Sequence, residues 1–362
     1  MSFDKEDLRV LLAAIEPVGQ KIMAQAQHRL DNLTKPLGAL GMLEEMAKRM
    51  CGIQVSLTPS VARKIILTFA GDHGVVAEGV SAVPAEVTPQ MVANFLAGGA
   101  GVNVLARHVG AEVRVIDVGV AVPIVGEGLI QAKVKAGTDN IRMGPAMSEE
   151  EALAALGVGI EVARNAIKDG AEILGTGEMG IGNTTPSAAL FASFLHLPAA
   201  QITGRGTGIS DEALTLKIQV VEDALAINAE RCRDPLSTLA ALGGLEIAAI
   251  CGMILEAARQ RVAVVVDGFI SSAAALTAME MNPMVLDYCF FSHMSGEQGH
   301  RLFFDKTGLK PILHLGLRLG EGTGAALAMN LIEAGVKILT QMATFGEAGV
   351  SPGEILDGSD GS

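Results

Sequence analysis

The chain has 362 residues, about half of them hydrophobic, yet glycine and charge interrupt every apolar run short of the roughly 20 residues a membrane helix needs. A net charge of −13, no tryptophan and a single tyrosine, Tyr288, exclude the clustered basic surface and the aromatic platforms that hold nucleic acids. A cytoplasmic protein with a substantial core is expected, because the charged start Met1-Ser2-Phe3-Asp4-Lys5-Glu6-Asp7 does not read as a secretory signal, and Cys51, Cys232, Cys251 and Cys289 are spaced for neither a metal site nor a disulfide framework.

From about Lys5 to Met50, apolar residues recur at helical spacing, as in Leu8, Leu11, Leu12 and Ile15, then Leu40, Leu43, Met46 and Ala47. These helices suit part of a small helical subdomain. Between them a Pro36 and Gly38 turn carries Lys35, either an ordinary surface charge or a phosphate contact. From Lys64 the rhythm changes to short apolar or β-branched runs that end in Gly or Asp and lead into helical patterns. Strands are expected over 65–70, 113–118, 172–175, 262–267, 286–292 and 312–315, with helices over 150–169 and 239–260. Strands separated by helices pair in parallel through crossovers, so the fold class is α/β, a doubly wound, mainly parallel sheet. In such a sheet, ligands bind beyond the carboxyl ends of the strands. Asp72-His73-Gly74, Gly177-Glu178-Met179-Gly180, Asp267-Gly268, residues 292–296 and Glu321 all fall there. The tail over 351–362 is expected to be flexible.

Several of these stretches carry chemistry. Ser81, Glu86, Thr88 and Gln90, set among Val, Pro and Ala, either line an apolar pocket with a few polar contacts or belong to a surface loop. Residues 175–186 contain G-x-G-x-x-G, the dinucleotide fingerprint, with Asp211 at the distance of a ribose partner. Glu178 inside that loop would repel a pyrophosphate, while Asn183-Thr184-Thr185 add amide and hydroxyl donors, which suits one phosphate and a ribose better. A second glycine turn, 203–211, offers Arg205 for a bidentate contact, and Lys217 on the next helix is either solvated or turned toward the site. Asp72-His73 suggests an acid/base pair or a metal. No H-E-x-x-H occurs and the other histidines are scattered, so no metal is expected, and no G-x-S-x-G provides a nucleophile elbow. Finally, residues 317–326 put Glu321 between Gly320 and Gly322 at a strand-to-helix junction, where free N–H groups favour an anionic ligand beside a potential base. An acid there can also simply cap the helix.

Read together, Thr34-Lys35-Pro36-Leu37-Gly38, Ala70-Gly71-Asp72-His73-Gly74-Val75, the run from Gly177 to Thr185, Gly204-Arg205-Gly206-Thr207-Gly208, Asp267-Gly268-Phe269, Ser292-His293-Met294-Ser295-Gly296-Glu297 and Leu319-Gly320-Glu321-Gly322-Thr323-Gly324 span most of the chain in order. In this combination the chain resembles the nicotinate-nucleotide–dimethylbenzimidazole phosphoribosyltransferases. The resemblance implies a large Rossmann-like domain over 61–324, a small helical domain from 1–60 and 325–350, and a homodimer. It implies a reaction in which 5,6-dimethylbenzimidazole displaces nicotinate from C1′ of nicotinate mononucleotide with inversion, without cofactor or metal. Glu321 matches the general base, and Glu178, Lys217 and Asp267 match further active-site positions. By the same resemblance Gly177, Gly180, Gly182, Asn183, Thr184, Gly204, Arg205, Gly206, Ser295 and Gly320 belong to the phosphoribosyl and nicotinate site, and Ser81, Gln90 and Leu319 to the benzimidazole pocket. Two rival functions are an NAD-dependent oxidoreductase using the Gly177–Gly182 loop and a non-catalytic azole- or nucleotide-binding protein.

Overall fold

The computed structural model describes residues 3–351, so nearly all of the expected flexible tail lies outside the described residues. Two compact units result. The larger takes in the described residues up to Pro17 together with Ala62–Asn330, and the smaller takes in Val18–Val61 with the described residues from Leu331 onward. The first helix, Lys5–Ala13, is thus counted with the larger unit rather than with the helices that follow it. In the smaller unit, Ala26 and Leu30 of the helix Gln20–Asp31 and Leu33 just beyond its end bury themselves with Ala47, Cys51 and Leu339. Lys35 is neither solvated nor placed for phosphate. It is buried and pairs with Glu44 at 2.9 Å.

The larger unit is built on a six-stranded sheet: β1 (Lys64–Gly71), β2 (Ala111–Gly119), β3 (Leu129–Gln131), β4 (Ile173–Met179), β5 (Ala263–Val266) and β6 (Cys289–Phe291). The order is β3-β2-β1-β4-β5-β6 and every pairing is parallel. β1 is buried at all its positions, as expected of a strand covered on both faces. Its neighbours run outward in opposite directions, so the chain reverses its winding between β1 and β4. That reversal is the topological switch point at which open α/β sheets bind ligands.

Three expectations shift for physical reasons. β4 extends past Gly175 to Met179, so the glycine-rich stretch begins inside the strand rather than after it. The helix expected over 239–260 is two, Pro235–Leu242 and Leu245–Arg259, broken where Gly244 adopts an extended backbone (φ −152°) hard against the His73 ring. Residues 312–315 form no named strand. They run beside the end of β6 through the Leu313 and Met294 amides, and the proline at 311 supplies no N–H to lengthen the ladder. No helix among the described residues is long and apolar enough to cross a membrane.

Candidate active site

At the switch point, Gly320 (φ 80°), Glu321 (φ 66°) and Gly322 (φ 101°) form consecutive left-handed residues. For glycine this costs little, but a glutamate held there is strained by about 1–3 kcal/mol and needs its surroundings to fix it. Four hydrogen bonds do so. The Glu321 N–H donates to Glu178 Oε1 (3.4 Å), Thr68 Oγ1 donates to the Glu321 carbonyl (3.3 Å), and the Gly322 and Ala325 N–H groups donate to the two oxygens of Asp267 (3.2 and 3.0 Å). Asp267 therefore caps the start of the helix Thr323–Gln341 and sets the angle of the turn before it. The turn directs the Glu321 carboxylate to the N-terminus of another helix, Gly101–Val109, where Oε2 accepts the Val102 N–H at 3.3 Å. Among the described residues none donates to Oε1, which leaves that oxygen to take a proton from a ligand. Leu319, 59% exposed, lies against Gly101 and gives this end an apolar wall.

Burial dominates the electrostatics. It raises Glu321 above the ordinary carboxylate range, with the Val102 N–H opposing and the Asp267 charge adding to the rise. It pushes Glu178 up to about 8, opposed by the Asn183 amide that donates to Oε2 at 2.6 Å, and it pushes Asp267 to about 7 against its backbone donors. Three neighbouring buried carboxyls thus keep protons further up the pH scale than they would in water.

The consequence for stability has a definite sign. The folded protein holds a proton on Glu178 that the unfolded chain releases above about 4.5, so the contribution of this group to stability is fully present below that pH and is lost as pH rises toward about 8. Glu178→Gln, which cannot ionise, should flatten that slope. Denaturant titrations of both proteins between about pH 5 and 8 measure the difference, and parallel slopes would show that Glu178 titrates normally.

His73, expected beside Asp72 as an acid/base pair, joins instead with Glu246, Nε2 to Oε1 at 2.7 Å, both side chains being buried. Burial alone would depress His73, but the Glu246 charge and hydrogen bond outweigh it and hold the imidazole above its usual value. Asp72 accepts the Ala121 N–H at 2.7 Å and so pins the loop after β2.

A line of contacts leads from this acidic cluster to a buried cation. Glu178 binds Asn183, and the next residue, Thr184, accepts Lys217 Nζ on Oγ1 at 2.7 Å. Lys217 is 1% exposed, so of the two alternatives it is turned inward, and burial depresses it to about 8. Beside it runs the turn Gly204-Arg205-Gly206, whose Gly206 N–H donates to Glu297 Oε2 at 3.3 Å. Ser295 supports that segment, its Oγ accepting the Glu297 N–H at 3.3 Å and its own N–H donating to His300 Nδ1.

The remaining expected residues are placed as follows. Gly175 and Gly177 lie inside β4, where Met329 packs on the first and the Glu321 turn on the second, so the fingerprint glycines serve close packing and form no pyrophosphate cradle. Gly180 and Gly182 flank Ile181, whose N–H donates to buried Thr88 and ties the helix Val87–Leu96 to this loop. Arg205 turns back on its own loop, binding the Ile209 carbonyl and pairing with exposed Asp211, which is consequently no ribose partner. Ser81 binds Thr207 Oγ1 at 3.2 Å, beside the glycine turn, and Gln90 is exposed on the helix Val87–Leu96. The Val102 N–H and Glu246 escape any sequence motif: one is a backbone group, and the other sits in the first turn of a mostly apolar helix.

A parallel sheet of this order, with a buried carboxylate at its switch point and a buried lysine beyond it, has the layout of a nucleotide-handling α/β enzyme. A phosphoribosyltransferase family model matches residues 15–350. A curated relative from Geobacter sulfurreducens, named nicotinate-nucleotide–dimethylbenzimidazole phosphoribosyltransferase, is 61% identical over 345 residues, 95% of this chain and 98% of that one. A relative of the same name from Chlorobium chlorochromatii is 58% identical over 96% of this chain and 98% of its own. The crystal structure of CobT from Thermus thermophilus superposes with a TM-score of 0.89 at 49% identity, covering 92% of this chain and 100% of that one. The chain belongs to the nicotinate-nucleotide–dimethylbenzimidazole phosphoribosyltransferase family.

Proposed function

We propose that this protein moves the 5-phosphoribosyl group of nicotinate mononucleotide to 5,6-dimethylbenzimidazole, giving α-ribazole 5′-phosphate and nicotinate, with Glu321 as general base. The observation that carries the assignment of roles is the strained Glu321 turn, which aims one carboxylate oxygen away from any protein donor.

The chemistry asks for little else. The nicotinate ring is attached as a pyridinium, so it leaves with the bonding electron pair as a neutral ring nitrogen and needs no acid. One benzimidazole nitrogen attacks C1′ from the opposite face, which inverts β to α. The proton on its other nitrogen becomes acidic as that bond forms and passes to Glu321. The same carboxylate, when ionised, offsets positive charge that develops on the ribose and the incoming ring. The phosphate rests at the far end of the site, on Lys217 and the N–H groups of the glycine turns, distant enough from Glu321 for both negative charges to be held. Leu319, against Gly101 at the Glu321 end, suits the benzimidazole, and Ser81 and Gln90 are assigned to the same pocket by the family reading. The family reading also carries a homodimer in the cytoplasm, for which sedimentation of the purified protein is the direct check on assembly.

The decisive assay incubates the protein with nicotinate mononucleotide and 5,6-dimethylbenzimidazole and follows both products by mass. An α-ribotide with equimolar nicotinate is expected. Nucleotide or azole binding without nicotinate release would instead make the protein a binder.

A further inference from the structure

Lys217 is an unusual cation. It is almost fully buried, its partner is the neutral Thr184 hydroxyl, and no carboxylate among the described residues lies within ion-pair distance of Nζ. A buried ammonium with no carboxylate in direct contact is costly, which suits a position completed by an anionic ligand. The charge that opposes its depressed basicity is Glu297, on the other side of the Gly204-Arg205-Gly206 turn. That turn is compressed between the two. A Cβ on Gly206 would stand 3.1 Å from Lys217 Nζ and 2.8 Å from Thr184 Oγ1, and one on Gly204 would collide with Glu297 Oε2. Glu297 immediately precedes the helix Gln298–Thr307, yet its side chain caps nothing there and reaches instead to the Gly206 N–H.

We propose that Glu297 is an affinity-setting latch: in the empty site its carboxylate occupies the Gly206 N–H and supplies the counter-charge of Lys217, and the phosphate of the nucleotide must compete with it for both. The inference rests on the proposed placement of the phosphate at Lys217. Its physical content is that two anions share one cation and one backbone donor, so each weakens the other. The latch trades tightness for turnover. Both the substrate and the α-ribotide product carry the phosphate, and a residue that lowers the affinity of each also hastens release.

Glu297→Gln isolates the charge, because the amide oxygen still accepts from Gly206. The expected result is a KM for nicotinate mononucleotide lower by about tenfold and stronger inhibition by inorganic phosphate, the order expected for removing one like charge from beside a bound anion. Glu297→Asp, which withdraws the carboxylate by one methylene, should move both quantities in the same direction and serves if the glutamine variant folds poorly. An unchanged or higher KM in the folded variants overturns the latch and makes Glu297 a brace for the turn. Lys217→Met separates that outcome from an error in the underlying placement. A raised nucleotide KM in Lys217→Met with no gain in Glu297→Gln removes the latch alone, whereas an unchanged KM in Lys217→Met removes the phosphate from this position and the latch with it.

Discussion

Glu321→Gln is expected to lower kcat by about 10²–10⁴-fold while the KM for nicotinate mononucleotide stays within about threefold of the wild-type value. The reasoning is geometric. Glutamine has the size and shape of glutamate, its amide oxygen can still accept the Val102 N–H, and the bonds that hold the left-handed turn are made by the backbone of residues 320–325 and by Thr68, Glu178, Asp267 and Thr323. What the amide lacks is a site for the benzimidazole proton. The pH profile gives a second readout. Burial raises Glu321, and a base works only when ionised, so wild-type activity should fall as pH drops through a value above the ordinary carboxylate range. That acid limb should vanish from the residual activity of Glu321→Gln. A variant with kcat within about tenfold of wild type would assign the proton to another acceptor.

Much of this site is legible in the sequence because its parts are local. The apolar run of β1, the glycine-flanked turn around Glu321 and the acids at the end of β4 and just past β5 all announce themselves within a few residues. What resists such reading depends on partners far along the chain. Gly175 and Gly177 resemble loop glycines until the packing of Met329 and the Glu321 carbonyl shows why a strand would keep them. Lys217 is followed by Ile218, Val220 and Val221 on a helix whose buried and exposed faces are poorly separated, so its own neighbours do not reveal its burial. The buried His73 and Glu246 pair joins residues 173 positions apart, and nothing near Glu246 in sequence marks it. Arg205 is the converse case, since a residue type suited to phosphate is engaged by its own turn, through the Ile209 carbonyl and Asp211.

Gly177→Ala should lower kcat by at least about a hundredfold and destabilise the protein by about 1–3 kcal/mol. Nothing local explains such a cost, because Gly177 sits within β4 at a backbone conformation open to any residue, and alanine in a strand is ordinarily tolerated. The cost is wholly tertiary. A Cβ there would stand 2.6 Å from Thr68 Oγ1 and closer still to the Glu321 carbonyl, between the strand and the turn that carries Glu321. Relief requires the 320–322 turn to lift from the sheet, and that movement breaks the Thr68 hydrogen bond and swings the carboxylate away from the Val102 N–H. Displacing a catalytic group by about 1 Å is worth a factor of 10². Gly144→Ala is the matched control, since a Cβ there meets no atom within 4 Å, and it should leave both rate and stability alone. If Gly177→Ala lost stability yet kept its kcat, the turn would tolerate lifting, and the placement of the Glu321 carboxylate would have to come from the helix Gly101–Val109 instead of from the sheet beneath it.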